Sequence, residues 1–456
     1  MPSSQVPIRV LEHDEIKLSD GTILSAMIWL PEDAETNPVP AILEYLPYRK
    51  RDWTAARDAS NHPYIASHGY AGVRVDMRGS GDSEGLLLGE YLKQEQDDCL
   101  EVLEWIAAQP WCTGSIGMIG ISWGGFNGLQ VAARRPPQLK AVVSMCSTDD
   151  RYNDDIHYQG GCMLVDNFLW GATMFGMNPT PPDPALVGDK WRDIWMKRIE
   201  TGGLYMSDWL THQRRDDFWK HASICEDYSS IQCPVYVVGG WMDPYTNTVF
   251  RMMDHLKCPK KGLVGPWAHK YPNFAKPGPA IGFLQETIRW WDKWLKGKET
   301  GIMDEPPLRC YLQDPAPPQT HYEFRPGHWV AESSWPGKDI KPQRMHLAPG
   351  RLVDEKTASD DKVSICSPQT MMHKAELPMP TSPIEYPCLR HQRCLHNDTT
   401  SRVHPYTFHS SDSQQQNGHE YSEYLDNRSP TFYSFCHLIV IERAIVNILS
   451  PELIAR

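Results

Sequence analysis

Acyl transfer by a serine needs four things: a hydroxyl held clear of its surroundings, a base for its proton, an acid to orient that base, and donors for the oxyanion. This chain offers Ser122 in Gly120-Ile121-Ser122-Trp123-Gly124, followed by Asp243 and then His269. In a G-x-S-x-G sequence the glycines let neighbouring chain pass a serine on a tight strand-to-helix turn. The order Ser, acid, His is that of the α/β-hydrolases. The Trp123 N–H, directly after the nucleophile, is the expected first oxyanion donor, and Tyr48 offers a phenol O–H as the second. Each residue also has a plainer reading. Ser122 could sit in an ordinary glycine-rich turn, Asp243 before Pro244 at a helix start, and Tyr48 packed behind Pro47, while His269 is one of eighteen histidines.

The elements around these residues discriminate. An apolar run over 115–121 reads as a strand and 129–133 opens a helical pattern, which puts Ser122 at a strand-to-helix turn. Asp243 and His269 close two further strand-like runs, 233–243 and 261–269. Loops at the carboxyl ends of parallel strands gather on one edge, where catalytic partners belong. Upstream, 8–30 reads as a hairpin, 40–46 and 72–76 as strands, 98–109 as a helix and 139–145 as a strand, with an amphipathic helix over 281–296. The alternation predicts a parallel sheet with helices on both faces.

The glycine-rich segment 78–85 has no Lys and fits neither phosphate-binding pattern, so it reads as a tight loop. The missing glycine fingerprint also counts against a dinucleotide-binding sheet. From about 150 to 231 the alternation stops and Trp, Tyr and Met crowd the chain. Such an insertion suits a helical cap over an apolar acyl pocket, although helix packing alone accounts for many of these aromatics.

A length of 456 residues allows two or three domains. The net charge of −12, with no basic stripe, argues against nucleic acid or an anionic membrane as partner. No apolar run reaches the roughly 20 residues of a membrane span, and the first residues carry no secretory pattern. Twelve cysteines are scattered without a C-x-x-C pair, the expectation for reduced thiols in the cytoplasm. Cys388, His391, Cys394 and His396 match no standard zinc spacing, so no metal site is expected. The chemistry needs no organic cofactor.

Five ordered motifs resemble the cocaine esterase/NonD family: Pro47-Tyr48, Asp76-Met77-Arg78-Gly79-Ser80-Gly81-Asp82-Ser83-Glu84-Gly85, Gly120-Ile121-Ser122-Trp123-Gly124-Gly125, Gly240-Trp241-Met242-Asp243 and Gly265-Pro266-Trp267-Ala268-His269. That family belongs with α-amino acid ester hydrolases, glutaryl acylases and X-Pro dipeptidyl-peptidases. The resemblance runs from about residue 10 to about 370. It implies Ser122 as nucleophile, His269 as base and Asp243 as its orienter, with Tyr48 and Trp123 as the oxyanion hole. It also implies an α/β-hydrolase domain (1–149 and 232–300), an inserted helical cap (150–231) and the start of a C-terminal jelly-roll β-sandwich (301–370).

Relatives that accept a free α-amino group use a carboxylate cluster. Asp154 and Asp155 resemble the cap's part of it, and Trp241 is a further substrate-binding candidate. No carboxylate follows Asp243 directly, which lowers the expectation of aminopeptidase or α-amino ester activity. The other reading of Asp149, Asp150, Asp154 and Asp155 is a solvated loop capping a helix. Residues 371–456 do not supply the strands a complete sandwich requires and read as an atypical tail, disordered or from an aberrant reading of the gene. The expected activity is a serine hydrolase acting on small esters, amides or peptides. The alternatives are an X-Pro dipeptidyl-peptidase-like activity and a non-catalytic hydrolase-fold binder, and a homo-oligomer is left open.

Overall fold

A computed structural model describes residues 5–338, 340, 344–348 and 351–354. They fall in two compact units, one running to Trp335 and one beginning at Pro336. The first unit starts with strands β1 (Ile8–Lys17) and β2 (Ile23–Pro31), which pair antiparallel as the expected hairpin. Then come β3 (Val39–Leu46), α1 (Ala55–Ser67), β4 (Ala71–Asp76), α2 (Lys93–Ala107), β5 (Cys112–Ile121), α3 (Trp123–Ala133) and β6 (Leu139–Met145).

An insertion follows β6. It holds the two-residue strands β7 (Tyr158–Gln159) and β8 (Cys162–Met163), then helices α4 (Asp166–Met177), α5 (Pro184–Val187), α6 (Trp191–Thr201), α7 (Tyr205–Thr211) and α8 (Asp217–Lys220). The sheet resumes with β9 (Val235–Gly240), α9 (Thr246–His255), β10 (Lys260–Gly265), α10 (Phe283–Lys296), β11 (Leu308–Gln313) and β12 (Gly327–Glu332). In the second unit the described residues form one hairpin, β13 (His346–Ala348) with β14 (Arg351–Val353).

Ten strands make one sheet in the order β1-β2-β4-β3-β5-β6-β9-β10-β11-β12. The run from β4 to β11 is parallel throughout. Strands buried on both faces read as continuous apolar runs, and β4 and β9 are buried along their whole length. Successive residues on β5 face opposite layers. A Cβ at Gly117 would meet the Trp291 ring of α10 at 2.6 Å, whereas Met118 lies towards Gly128 of α3. The helices therefore cover both faces, and the fold is that of an α/β-hydrolase.

One strand is placed differently from the sequence reading. Leu308–Leu312, expected to open the sandwich, lies in β11, which pairs parallel with β10 through Gly262 and Leu308. A buried ion pair ties it to the neighbouring elements. Arg309 is held by Glu286 of α10 and donates to the Tyr236 hydroxyl of β9 at 2.7 Å. The sheet thus continues past residue 300, where the catalytic domain was expected to close. The tail 371–456, the cysteine–histidine group near 390 and most of the expected sandwich lie outside the described residues. No helix among the described residues is long and apolar enough to cross a membrane, and the eight described cysteines are free.

Candidate active site

Parallel strands deliver their following loops to one edge, and β3, β5, β6, β9 and β10 deliver Tyr48, Ser122, Cys146, Asp243 and His269 there. Ser122 stands between β5 and α3 with φ 57° and ψ −129°, outside the regions that suit a residue with a side chain. The turn closes only because its neighbours are small. A Cβ on Gly120 would lie 2.4 Å from the Gly124 backbone, and one on Gly125 would lie 2.8 Å from the Met145 carbonyl. The Ser122 N–H donates to Met145 O at 3.0 Å, pinning the turn to the end of β6.

His269 Nδ1 and Asp243 Oδ2 are 2.5 Å apart. The carboxylate is buried, and its other oxygen accepts the Tyr245 N–H at 2.8 Å. Tyr245 also packs its ring 5.8 Å from the imidazole. Asp243 thereby fixes the tautomer that leaves Nε2 free to accept a proton. The thiol of Cys146, the residue after Met145, lies against Asp243, which puts the Asp–His pair beside the Ser122 turn. No hydrogen bond joins Ser122 to His269. The Ser122 side chain and the Trp123 N–H instead lie near the Tyr48 hydroxyl. Burial pushes the Tyr48 phenol well above its ordinary value, so it remains an O–H donor at neutral pH. Tyr48 is set edge-on against Trp123 at 6.3 Å and against Trp170 of α4 at 6.0 Å.

The insertion is bound to this edge through polar contacts. Arg198 of α6 donates to Gly81 O at 3.0 Å and Ser83 O at 2.6 Å, and Arg49 reaches Pro181 O at 3.0 Å. The glycine-rich segment after β4 is therefore a structural latch, in keeping with its reading as a tight loop. Among the insertion's aromatics, Trp209 and Trp219 pack around His157 as core, whereas Trp170 reaches the site.

The four aspartates after β6 are not a solvated loop. Asp149, Asp150, Asp154 and Asp155 are all buried. Arg251 of α9 pairs with Asp149 and Asp154, and Arg215 reaches Asp150 at 3.4 Å. Burial of Asp149, Asp150 and Asp154 is offset by these cations, which periodicity cannot reveal. Asp154, engaged by Arg251 at 2.5 Å, lines a cavity of about 420 Å³ with Asp150, Tyr228 and Asn247.

Asp155 is turned to a different group. Its Oδ1 accepts the Ile156 N–H at 2.7 Å, and its Oδ2 is buried without a partner. Burial, reinforced by Glu90, raises Asp155 to about 7. Glu90, missed in the sequence, pairs with His157 Nε2 at 2.7 Å and accepts the Trp170 indole N–H at 3.0 Å. Burial pushes Glu90 up, but His157 and Arg151 outweigh it and bring it below its ordinary value. Trp241 points its indole N–H to Tyr311 O at 2.6 Å and stacks on Phe250. The structure thus brings Tyr48, Ser122, Trp123, Asp243 and His269 to one sheet edge, sets Glu90 against Trp170 with Asp155 near Glu90 and His157, and ties Asp154 and Trp241 to α9 and β11.

Known proteins resemble this chain in sequence and in fold. The chain is 24% identical over 359 residues to cocaine esterase of Rhodococcus sp., an alignment covering 71% of this chain and 60% of that protein. It is 22% identical over 366 residues to a putative Xaa-Pro dipeptidyl-peptidase of Bacillus anthracis, covering 71% of this chain and 56% of that one. The chain therefore spans little more than half the length of these relatives. A crystal structure of a CocE/NonD family hydrolase from Staphylococcus aureus superposes with a TM-score of 0.59 at 20% identity, over 77% of this chain and 61% of that chain. The family model for X-Pro dipeptidyl-peptidase (S15 family) matches residues 20–271. That match covers more than half of the chain, from the β1–β2 turn to just beyond His269, and by it the chain belongs to the S15 family.

Proposed function

We propose that the chain is a serine hydrolase that cleaves acyl esters or amides through an acyl-enzyme. The carrying observation is the His269–Asp243 contact of 2.5 Å at the same sheet edge as Ser122 in its strained turn. In this reading the Ser122 hydroxyl swings from Tyr48 towards His269 Nε2, which takes its proton as Oγ attacks the acyl carbon. Catalytic hydrogen bonds often tighten only once substrate is bound. The Trp123 N–H and Tyr48 O–H then donate to the oxyanion. On collapse, His269 returns the proton to the leaving group, and water repeats the sequence on the acyl-enzyme.

Residues 150–231 act as a cap, with Trp170 over the reacting centre. In this reading the substrate is a small ester, amide or peptide and the protein acts in the cytoplasm, a compartment that the free thiols among the described residues favour.

A second reading, X-Pro dipeptidyl-peptidase-like cleavage at peptide N-termini, is favoured by Glu90 and Asp155. An ammonium bound near Trp170 would draw Asp155, raised to about 7 and with no hydrogen-bond partner on Oδ2, into its ionised form beside the Glu90–His157 pair.

A fluorophosphonate probe tests the core of the proposal. Labelling of the wild type that is lost in Ser122→Ala and strongly reduced in His269→Ala supports it. Folded wild-type protein that takes no label would make the chain a non-catalytic binder. Rates on aryl esters, β-lactam acyl amides and Xaa-Pro-anilides then separate the two readings.

A further inference from the structure

Cys146 follows β6 with φ 47°, in the left-handed region that residues with side chains seldom adopt. Its thiol is buried beside the Asp243 carboxylate and the His269 ring, so it lies between the acid loop and the histidine loop. Cys146 Sγ, a carboxylate oxygen of Asp243 and a ring nitrogen of His269 lie within 4.8 Å of one another. Among the described residues, the only ion pair of Asp243 is with His269. The other mixed cluster of this kind, Glu44, Asp58 and His62, differs in that Arg57 and Arg74 already neutralise its carboxylates.

Sulfur, imidazole nitrogen and carboxylate oxygen form a donor set suited to Zn²⁺, which takes water as a fourth ligand where the protein supplies three, and unsuited to Mg²⁺ or Ca²⁺. The imidazole is 39% exposed, which gives an ion a path to the two buried donors beneath.

We propose that Cys146, Asp243 and His269 capture a soft divalent cation, Zn²⁺ or Cd²⁺, and that its binding arrests hydrolysis. On capture the thiol proton leaves to water and a metal–sulfur bond forms. The metal takes the place of the proton at His269 Nδ1, and that proton passes to Nε2. No electrons are transferred. An imidazole protonated at Nε2 cannot accept the Ser122 proton, so the nucleophile stays inactive. The arrest of turnover rests on the hydrolase reading, whereas the capture itself does not.

The test titrates the whole chain with Co²⁺, followed by thiolate-to-metal absorption in the near ultraviolet, and with Zn²⁺, followed by ester hydrolysis. The site is supported by a saturable Co²⁺–thiolate band that Cys146→Ser removes. It is further supported if Zn²⁺ inhibition is reversed by chelator and needs at least about tenfold more Zn²⁺ in Cys146→Ser, each protein judged against its own metal-free rate. Cys146→Ala carries the same comparison should the serine variant not fold. No thiolate band at saturating Co²⁺, or an identical band in the variant, would overturn the site. Hydrolysis indifferent to Zn²⁺ overturns the arrest and leaves the hydrolase reading intact. A chain that binds Co²⁺ through Cys146 but hydrolyses nothing leaves the site and removes the hydrolase.

Discussion

The Tyr271 hydroxyl donates to Glu44 Oε1 at 2.8 Å, joining the loop that carries His269 to β3, the strand that delivers Tyr48. Both residues are buried, and the Arg57 guanidinium lies over the Tyr271 ring at 5.0 Å. This hydrogen bond thus ties the loop of the proposed base to the strand of the proposed oxyanion donor. Tyr271→Phe keeps the ring and deletes the bond. We expect kcat to fall by about tenfold or more with little change in KM, the mark of a displaced reacting group. Stability should fall by about 1–3 kcal/mol, because a buried carboxylate loses a donor. Steady-state kinetics beside a urea melt read both, and unchanged kcat in a destabilised variant would confine Tyr271 to a structural role.

Glu44 itself gives the chain an acid limit. Burial alone would raise its pKa, but Arg57, His62 and Arg74 outweigh burial and hold it down at about 2. Its contribution to stability is therefore complete above the ordinary carboxylate range and is lost as pH falls towards about 2. In Glu44→Gln the loss of stability relative to wild type should be largest near pH 7 and shrink on acidification. Melting curves taken from pH 7 down to pH 3 decide the point.

Asp155 has the opposite sign. Raised by burial to about 7, it favours its protonated form in the folded chain, so folding is penalised increasingly as pH rises from about 4 to about 7. Asp155→Asn should melt higher than wild type at pH 8, with the advantage narrowing by pH 5. If the carboxylate receives a substrate ammonium, the same variant loses kcat/KM on Xaa-Pro-anilides and keeps it on neutral aryl esters. In the wild type, kcat/KM on the cationic substrate then rises as pH passes through about 7.

Tyr48→Phe removes one of two proposed oxyanion donors without disturbing the ring's edge-on contacts with Trp123 and Trp170. The scale for losing such a donor is about 10²-fold in kcat. Equal turnover by the phenylalanine variant on an aryl ester would take Tyr48 out of the site.

Strain at Ser122 is testable apart from catalysis. Glycine relieves φ 57°, whereas alanine retains the Cβ that makes it costly. Ser122→Gly should therefore be more stable than Ser122→Ala by about 1 kcal/mol, reversing the usual ranking of these residues. Thermal melts of the two inactive variants compare them directly.

What the sequence determined by itself was local or ordered along the chain. Gly120, Gly124 and Gly125 around Ser122 dictate a turn that only small residues can close, so the elbow is legible within a few residues. Asp243 and His269 are legible because each follows an apolar run, and parallel strands send such ends to a common edge. What only the tertiary structure decided was pairing between distant side chains. Helix α1 carries Pro63 and little apolar periodicity, so nothing local announces it. Glu90 meets His157, Arg251 meets Asp154, and Cys146 meets Asp243 because strand order folds those segments together. The burial of the aspartates after β6 and the placement of β11 have the same origin. Periodicity tells a residue which face to hide, while the identity of the charge or strand that meets it there is set by the packing of the whole sheet.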